Sequence, residues 1–551
     1  MPETNHFDRL SRRVASKFLS TVVVVDDQAV LARSSATEQP RRLHSPGRQA
    51  GETKTSSQPS TSGLDAAHRL DAKRLIDRFA ERGVLCAVLR PQEQELDSLD
   101  RVLSRLAAVS DVVILDWVLH EFKQGQKAIE IIKELLKSSG PDRGRARLII
   151  VYSGENDLDQ IAQNVRVALK LPEDNNLDDP YTIERGAARI CIYAKEQSRV
   201  SVGNRARRID IDKLPEVVIN EFANMTRGLV SNVALLSLAA LRANTHQILK
   251  RFHNEVDAPF VTHRTLLAPE EASDHLVPLI VSEIQAVLED TQVSAIANHK
   301  GVAQWLAYQF RRGLKPPDGV PEKEFRQGLA FLLEHGTGNT ALNELFSSHE
   351  RFAKVCLKSK NKAVSSVRDH LTGLVTVERD RAEVSDNELA ALMSVRSRYA
   401  SPAPRLTLGS IVLETRRRRS EYLLCVQPRC DSVRLYCERA FPFLPMQRVD
   451  DDKECDLIIA EKEGMVRLRL QDRPFEVRMI RFGPTKPADG QVLARRAKSG
   501  RFFKAASRTQ TTYRWIGDLK PEHAQRVAND HAYKLSRVGL TESEWLRKWM
   551  P

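Results

Sequence analysis

Four short, mostly apolar runs near the N-terminus each end in a polar or charged side chain. The runs are Val22–Val25 followed by Asp26 and Asp27, Val112–Leu115 followed by Asp116, Leu148–Tyr152 followed by Ser153, and Ala188–Ala194 followed by Lys195. Runs of this length and composition predict strands that are buried on both faces, as in a parallel sheet covered by helices. Segments with helical periodicity separate the runs, so we expect an α/β doubly wound parallel sheet here.

The polar residues that end these runs are expected to lie together. In an open parallel sheet, ligands gather at the carboxyl ends of the strands, which meet at one edge. Carboxylates at one edge repel each other, and a hard divalent cation relieves the repulsion; Mg²⁺ suits one or two carboxylates and several waters. A carboxylate beside Mg²⁺ can attack phosphorus and form an acyl phosphate. A hydroxyl and an ammonium group would then bind the phosphoryl oxygens.

This arrangement resembles the receiver domain of two-component response regulators, over about residues 20–200. The motifs that carry the resemblance are VVVVDDQ, VVILDWVL, IIVYSGEND and ICIYAKE, in that order. The resemblance implies that a histidine kinase phosphorylates Asp116, and that Ser153 and Lys195 contact the phosphoryl group. It also implies that Asp26, Asp27 and Asp116 hold Mg²⁺, with the backbone carbonyl of Val118 as a further ligand.

Three positions depart from the usual receiver pattern. Glu196 follows the lysine where receivers usually have proline, and His120 stands where a proline often follows the phosphoacceptor loop. The residue three before the lysine is often aromatic in receivers; here it is Ile192, with Tyr193 one position later. We therefore do not assign the usual aromatic switch to this chain, while the phosphoacceptor prediction stands.

The chain as a whole is predicted to contain several domains. Residues 1–19 form an N-terminal segment, and residues 20–200 form the receiver-like domain. Within it, residues 34–63 are rich in Ser, Thr, Pro, Gly and Gln, which predicts a disordered insertion. Helical periodicity dominates residues 214–400, which predicts a central all-α region. From residue 401 to 551 the period shortens to that of strands, including one at Val433–Tyr436, and alternating apolar and charged residues predict that one face is in solvent. This predicts a mainly antiparallel β domain with closing helices at Lys520–Arg537 and Glu542–Trp549.

Charge and composition limit the possible partners and the compartment. The net charge is +13, and residues 401–551 hold 30 Lys and Arg against 19 Asp and Glu. This excess and the run Arg416–Arg419 keep nucleic acid open as a partner, although the run also suits an exposed hairpin. No stretch approaches the roughly 18 apolar residues of a membrane span, and the N-terminus has no apolar signal region. Seven scattered cysteines fit a reducing compartment, so we expect a cytoplasmic protein without a membrane partner.

Three further stretches resemble a group of bacterial receiver proteins encoded beside histidine kinases in phage-defence clusters of the Detocs type. They are GLVSNVALLSLAALRANTHQILKRF, LCVQPRCDSVRL and SRVGLTESEWLR. In that group one receiver protein carries a toxic effector, and another lacks a known effector and is thought to draw phosphate away as a buffer. The sequence has no HExxH motif, Walker A loop or nucleophile elbow, so it is more similar to the buffer, with no enzyme activity beyond phosphoryl transfer to itself.

Two alternatives stay open at this point. The basic region 401–551 could make the protein a nucleic-acid-binding regulator that phosphorylation controls. Alternatively, the helical region could belong to an effector enzyme of an unrecognised type. If the chain is instead a receiver protein that regulates or buffers a two-component signal, its partners are a histidine kinase and another receiver-effector protein.

Overall fold

The computed structural model describes most of the chain, in two compact units that comprise residues 1–308 and 309–551. The described residues are 6–31, 68–95, 99, 102–103, 105–106, 108–120, 125–137, 147–171, 179–266, 276–356, 371–399, 402–416, 419–433, 435–450, 454–461, 463–471, 473–486, 490–506 and 511–536. The predicted insertion 34–63 and a predicted C-terminal helix, Glu542–Trp549, lie outside them.

The first unit is built on the predicted parallel sheet. Its strands are β1 Thr21–Val25, β2 Ala29–Val30, β3 Leu70–Asp71, β4 Leu85–Leu89, β5 Val112–Leu115, β6 Arg147–Ser153, β7 Thr182–Arg185, β8 Ala188–Lys195 and β9 Arg208–Ile209. The sheet runs in the order β4-β1-β5-β6-β8-β7, and all neighbours from β4 to β8 are parallel. Strand β7 is antiparallel to β8, β9 pairs in parallel with the end of β8, and β2 and β3 form a separate parallel pair. This order confirms the α/β doubly wound sheet.

Helices cover both faces of this sheet. The helices of the first unit are α1 His6–Phe18, α2 Ala72–Ala80, α3 Gln126–Lys137, α4 Leu158–Leu169, α5 Leu214–Met225, α6 Leu229–Arg251, α7 Asp257–Leu266, α8 Leu276–Asp290 and α9 His299–Arg311, which ends in the second unit. Along β1, Val23 and Val25 pack with α3 and α4, whereas Val22 and Val24 pack with α1, α2 and α5. The strands are therefore buried on both faces, as their continuous apolar runs predict.

The second unit begins with helices and continues with an antiparallel sheet. The helices are α10 Glu322–His335, α11 Asn339–Ser348, α12 Glu350–Cys356, α13 Leu371–Val375 and α14 Ala382–Ser394; the strands are β10 Ser410–Arg416, β11 Arg419–Cys425, β12 Arg439–Arg448, β13 Leu457–Glu461, β14 Gly464–Leu470, β15 Arg478–Phe482, β16 Arg495–Ala497, β17 Gly500–Lys504 and β18 Thr512–Asp518, and α15 Pro521–Ser536 follows. Every pairing between these strands is antiparallel. The helical middle and the antiparallel C-terminal sheet are thus confirmed.

Two expectations about this sheet were wrong. The predicted strand at Val433–Tyr436 is not formed by the three residues described there, Val433, Leu435 and Tyr436, which follow a 3₁₀ turn at Cys430–Ser432. One face was expected to be wet, but Ile411 and Leu413 lie in one apolar cluster and Val412 lies in another. Both faces of the central strands therefore carry a core, and α15 covers part of one of them.

Among the described helices, none combines the length and the apolar character that crossing a bilayer requires.

Gly409 provides a test of the packing of α15 against the sheet. Its φ is +87°, and a Cβ built there would lie 2.8 Å from the Cβ of Ala524 on α15. We expect Gly409→Ala to lower the free energy of unfolding of the second unit by about 1–3 kcal/mol, through backbone strain and overpacking. Denaturant titration followed by circular dichroism measures the change. Gly338→Ala is the control, since no atom lies within 4 Å of its Cβ position; equal effects of the two changes would contradict the packing argument.

Candidate phosphoacceptor and cation site

The predicted site residues converge at the carboxyl edge of the first sheet. Asp26 and Asp27 follow β1, Asp116 follows β5, and Ser153 and Lys195 are the last residues of β6 and β8. The ladder continues one residue past these strands, since the backbone N–H of Asp116 donates to the carbonyl of Val25 at 2.9 Å. Side chains that are up to 169 residues apart in sequence therefore meet at one edge.

The ammonium group of Lys195 is the centre of this cluster. Its Nζ donates to Asp26 Oδ2 at 2.7 Å, to Asp116 Oδ2 at 2.6 Å and to the carbonyl of His68 at 2.7 Å. Lys195 is 3% exposed, and Asp26 and Asp116 are each 2% exposed. Burial opposes the charged form, but the two carboxylates outweigh it and raise the pKa of Lys195. The lysine is therefore a buried cation with a partner for each of its three N–H groups.

Three carboxylates surround a position that suits a hard cation. One oxygen each from Asp26, Asp27 and Asp116 lie within 4.8 Å of one another. Asp27 Oδ1 and Asp116 Oδ1 are buried and have no hydrogen-bond partner within the described parts of the chain. Buried carboxylate oxygens without a partner are costly, and a divalent cation with oxygen ligands would satisfy both. The residues present therefore fit a cation of this class.

Backbone amides orient two of these carboxylates. Gln28 N–H donates to Asp26 Oδ1 at 2.9 Å, and His120 N–H donates to Asp27 Oδ2 at 2.9 Å. His120 reaches this position with a left-handed backbone, φ +53°, and its ring Nε2 lies 2.8 Å from the carbonyl of Pro91. The unusual backbone of His120 thus serves to hold Asp27.

Asp116 titrates in an unusual range. Burial raises its pKa to about 7, with Lys195 acting against the shift and Asp26 and Asp27 adding to it.

Trp117, the residue after Asp116, is buried, and its ring lies 2.1 Å from where a Cβ on Gly125 would be. The chain that follows Asp116 is thus anchored by this contact, which only glycine permits.

Ser153 and Val118 contribute less to the contacts of this site. Ser153 is fully buried, and its hydroxyl accepts a hydrogen bond from the N–H of Glu155 at 3.1 Å. Its pairing opposite Ala194 places it beside the end of β8. The phosphoryl contact of Ser153 and the ligand role of the Val118 carbonyl stay predictions.

Tyr193 lies on the opposite face of the sheet from Ile192. Its hydroxyl donates to Glu221 Oε1 on α5 at 2.6 Å, and Arg189 pairs with the same carboxylate at 2.9 Å. Burial opposes the charged form of Glu221, but these partners lower its pKa overall. Ile192 packs with α3 and α4. Tyr193, the aromatic residue near the lysine, is therefore hydrogen-bonded to α5. We leave the usual aromatic switch unassigned.

His68 and Glu155 belong to the site but were missed in the sequence. The carbonyl of His68 accepts from Lys195, and its ring Nε2 lies 3.7 Å from Glu155 Oε1. His68 follows a polar segment without periodicity, and a backbone carbonyl leaves no trace in a side-chain pattern. For Glu155, the only signal in the sequence is its position two residues after Ser153.

The comparisons with known proteins agree with this geometry. Residues 18–200 match the family model described as a response receiver domain. This match, which covers β1 to β8, supports a receiver domain in this part of the chain. No curated protein and no solved structure matches the chain.

Cation affinity at this site should depend on pH. Ionised Asp116 binds a cation better than the protonated form, and its pKa of about 7 in the cation-free protein means that protons compete below neutrality. Mg²⁺ should therefore bind about tenfold more weakly at pH 6 than at pH 8, the ratio of ionised fractions for that pKa. Isothermal titration with MgCl₂ at the two pH values measures it. In Asp116→Asn the pH dependence should disappear; the same dependence in both proteins would contradict the assignment.

Proposed function

We propose that this protein accepts a phosphoryl group on Asp116 from a histidine kinase, with Mg²⁺ as cofactor, and so regulates or buffers a two-component signal. The observation that supports it best is the buried Lys195, bonded to both Asp26 and Asp116, beside two carboxylate oxygens that have no partner in the described chain. A purely structural ion pair would not require a third carboxylate, that of Asp27, at the same place.

Each residue has a role in the proposed transfer. A carboxylate oxygen of Asp116 forms the new bond to phosphorus, the P–N bond of the donor phosphohistidine breaks, and the leaving imidazole keeps that electron pair and is protonated. Asp26, Asp27 and Asp116 would hold Mg²⁺, which would neutralise charge between the carboxylates and the phosphoryl oxygens. Lys195, already 2.6 Å from Asp116, would donate to a phosphoryl oxygen of the product, and Ser153 would donate to another.

We propose that the output is made through protein contacts and not through catalysis on another substrate. The sequence contains no HExxH motif, Walker A loop or nucleophile elbow. The resemblance to Detocs-type proteins favours a buffer that draws phosphate from a kinase in antiphage defence, and a second receiver-effector protein would then share that kinase. A soluble, cytoplasmic location fits this role.

Nucleic-acid binding by the basic second unit is a less favoured function. Two of its arginines pair with acidic residues of the same unit: Arg478 with Glu414 and Glu421, and Arg514 with Glu461. Arginines held in this way are less available for phosphate contacts. Binding to DNA or RNA that weakens steeply with salt would favour this function.

The direct test uses substitutions at the edge of the sheet. Asp116→Asn should abolish phosphoryl uptake from a histidine kinase or from acetyl phosphate, since the amide cannot attack phosphorus. Asp27→Asn should also fail, through loss of the cation. Lys195→Ala should still accept phosphate but signal poorly, because the lysine binds the product and does not form the bond. Intact-protein mass spectrometry measures uptake.

The control for these substitutions is Asp77→Asn, an exposed aspartate on α2 that pairs only with Lys73 among the described contacts. It should take up phosphate like the wild type. Wild-type protein that gains no phosphate from either donor with Mg²⁺ present would refute the proposed function.

A growth experiment in cells distinguishes a buffer from an output regulator. If the protein is a buffer, Asp116→Asn should leave the kinase's other target over-phosphorylated, and growth should suffer. If the protein is an output regulator, the same change should switch the response off without harm. Growth of cells that carry the whole gene cluster measures the difference, with Asp77→Asn as the matched control.

A further inference from the structure

We propose that helices α6 and α8 form an arm through which two copies of this chain associate, antiparallel about a two-fold axis. This association is independent of the phosphoryl transfer proposed above. An exposed apolar face, the direction of the two helices and the charges along them support it.

The first half of α8 exposes an apolar face. None of the fifteen residues of α8, all of them described, is buried. Residues three and four apart are neighbours on a helix, so the apolar side chains of this half form one patch. Monomeric proteins rarely expose a contiguous apolar patch of more than a few hundred Å², and we expect this one to be covered in solution. Its members are each 36–64% exposed: Leu276, Val277, Leu279, Ile280 and Val281.

Helices α6 and α8 pack against each other and run in opposite directions. Arg251, the last residue of α6, pairs with Glu283 in the middle of α8 at 3.5 Å. At the other end, Leu229 of α6 and Ile296, just after α8, pack against the same apolar cluster of α1. The residues before Glu283 therefore extend past the end of α6. We call this helix pair the arm, with its base beside α1 and its tip at the start of α8.

Helix α6 adds further apolar residues to the surface of the arm. Leu238 and Leu249 are both more than half exposed, and a spacing of eleven residues places them on one side of the helix, three turns apart. Between them, Arg242 donates to the carbonyl of Phe18 at 2.8 Å, which fixes α6 to the chain that enters β1. Two helices alone cannot enclose a core, whereas two such arms packed together form a four-helix bundle that has one.

The charges along the arm favour a second copy as the partner. Lys250, near the end of α6, and Asp290, the last residue of α8, are both exposed. At 1.5 Å per residue from the contact between Arg251 and Glu283, Lys250 lies about 1.5 Å and Asp290 about 10.5 Å toward the base. A two-fold axis about 6 Å toward the base from that contact would bring Lys250 of each copy level with Asp290 of the other.

The exposed apolar residues lead to the same axis. From the same contact, Leu238 lies about 20 Å toward the base and Val277 about 9 Å toward the tip, so their midpoint is about 5 Å toward the base. The two midpoints agree within about 1 Å, which is less than the rise of one residue. One antiparallel arrangement therefore covers the apolar tip of each arm with Leu238 of the other copy and pairs the opposite charges. A bilayer or an unrelated protein would not require this agreement.

Sedimentation equilibrium of the full-length protein tests the association. We expect dimers with a Kd of about 10 µM or tighter, within the range of interfaces of standard size. Val277→Glu should raise the Kd at least about tenfold, because a charge would be buried in each copy. Val167→Glu on α4 is the matched control, since Val167 is 65% exposed and Val277 is 64% exposed. The control should dimerise like the wild type, and circular dichroism verifies that both variants fold.

Three results would overturn the inference. The first is a wild-type protein that stays monomeric at about 100 µM, well above the expected Kd. The second is a dimer that Val277→Glu leaves intact or that Val167→Glu breaks. The third is a monomer that binds vesicles of phosphatidylcholine, which would show that a bilayer covers the apolar face.

Reversing the charges tests the direction of the arms. Lys250→Glu should raise the Kd of the dimer about threefold or more, because the two-fold axis repeats the lost pair. Adding Asp290→Lys should restore the wild-type Kd, since opposite charges then face each other again. Lys133→Glu, on the exposed side of α3, is the control. Parallel arms would place the two Lys250 side chains together, so a tighter dimer with Lys250→Glu, or an effect equal to that of the control, would overturn the antiparallel arrangement.

Discussion

The buried ammonium of Lys195 is the interaction on which the N-terminal site depends. It bonds to two carboxylates from two other strands, and all three groups are nearly inaccessible to solvent. Breaking a buried pair by removing one partner leaves an uncompensated charge, which typically costs several kcal/mol. The lysine thus fixes the ends of β1, β5 and β8 relative to each other. It also keeps the two carboxylates close together, and its ammonium group would donate to a phosphoryl oxygen of the product.

The sheet and its edge could be predicted because their signal is local and repeated. Parallel strands covered on both faces read as continuous apolar runs, and each of the four runs ended in the side chain that lies at the edge. Asp26, Asp116 and Lys195 are therefore found together as predicted, and Asp27 joins them. The family match over residues 18–200 includes all four of these runs.

Other features depend on contacts that the sequence does not encode locally. Strand β12 has a weak signal in the sequence because it contains Pro442 and Pro445, yet their carbonyls accept from the N–H groups of Val426 and Gln471. The contact between His68 and Lys195 was missed because it uses a backbone carbonyl across 127 residues of sequence. The prediction that one face of the second sheet is exposed to solvent is wrong, because charged residues such as Glu414 are buried with a partner, here Arg478.

The central claim is that Asp116 carries the phosphoryl group. Borohydride reduces an acyl phosphate of aspartate to homoserine, so the acceptor can be located by peptide mass spectrometry after brief treatment with acetyl phosphate and Mg²⁺. The account predicts homoserine at position 116 and at no other aspartate. Homoserine at Asp26 or Asp27 instead, or a phosphorylated protein without homoserine at position 116, would contradict it.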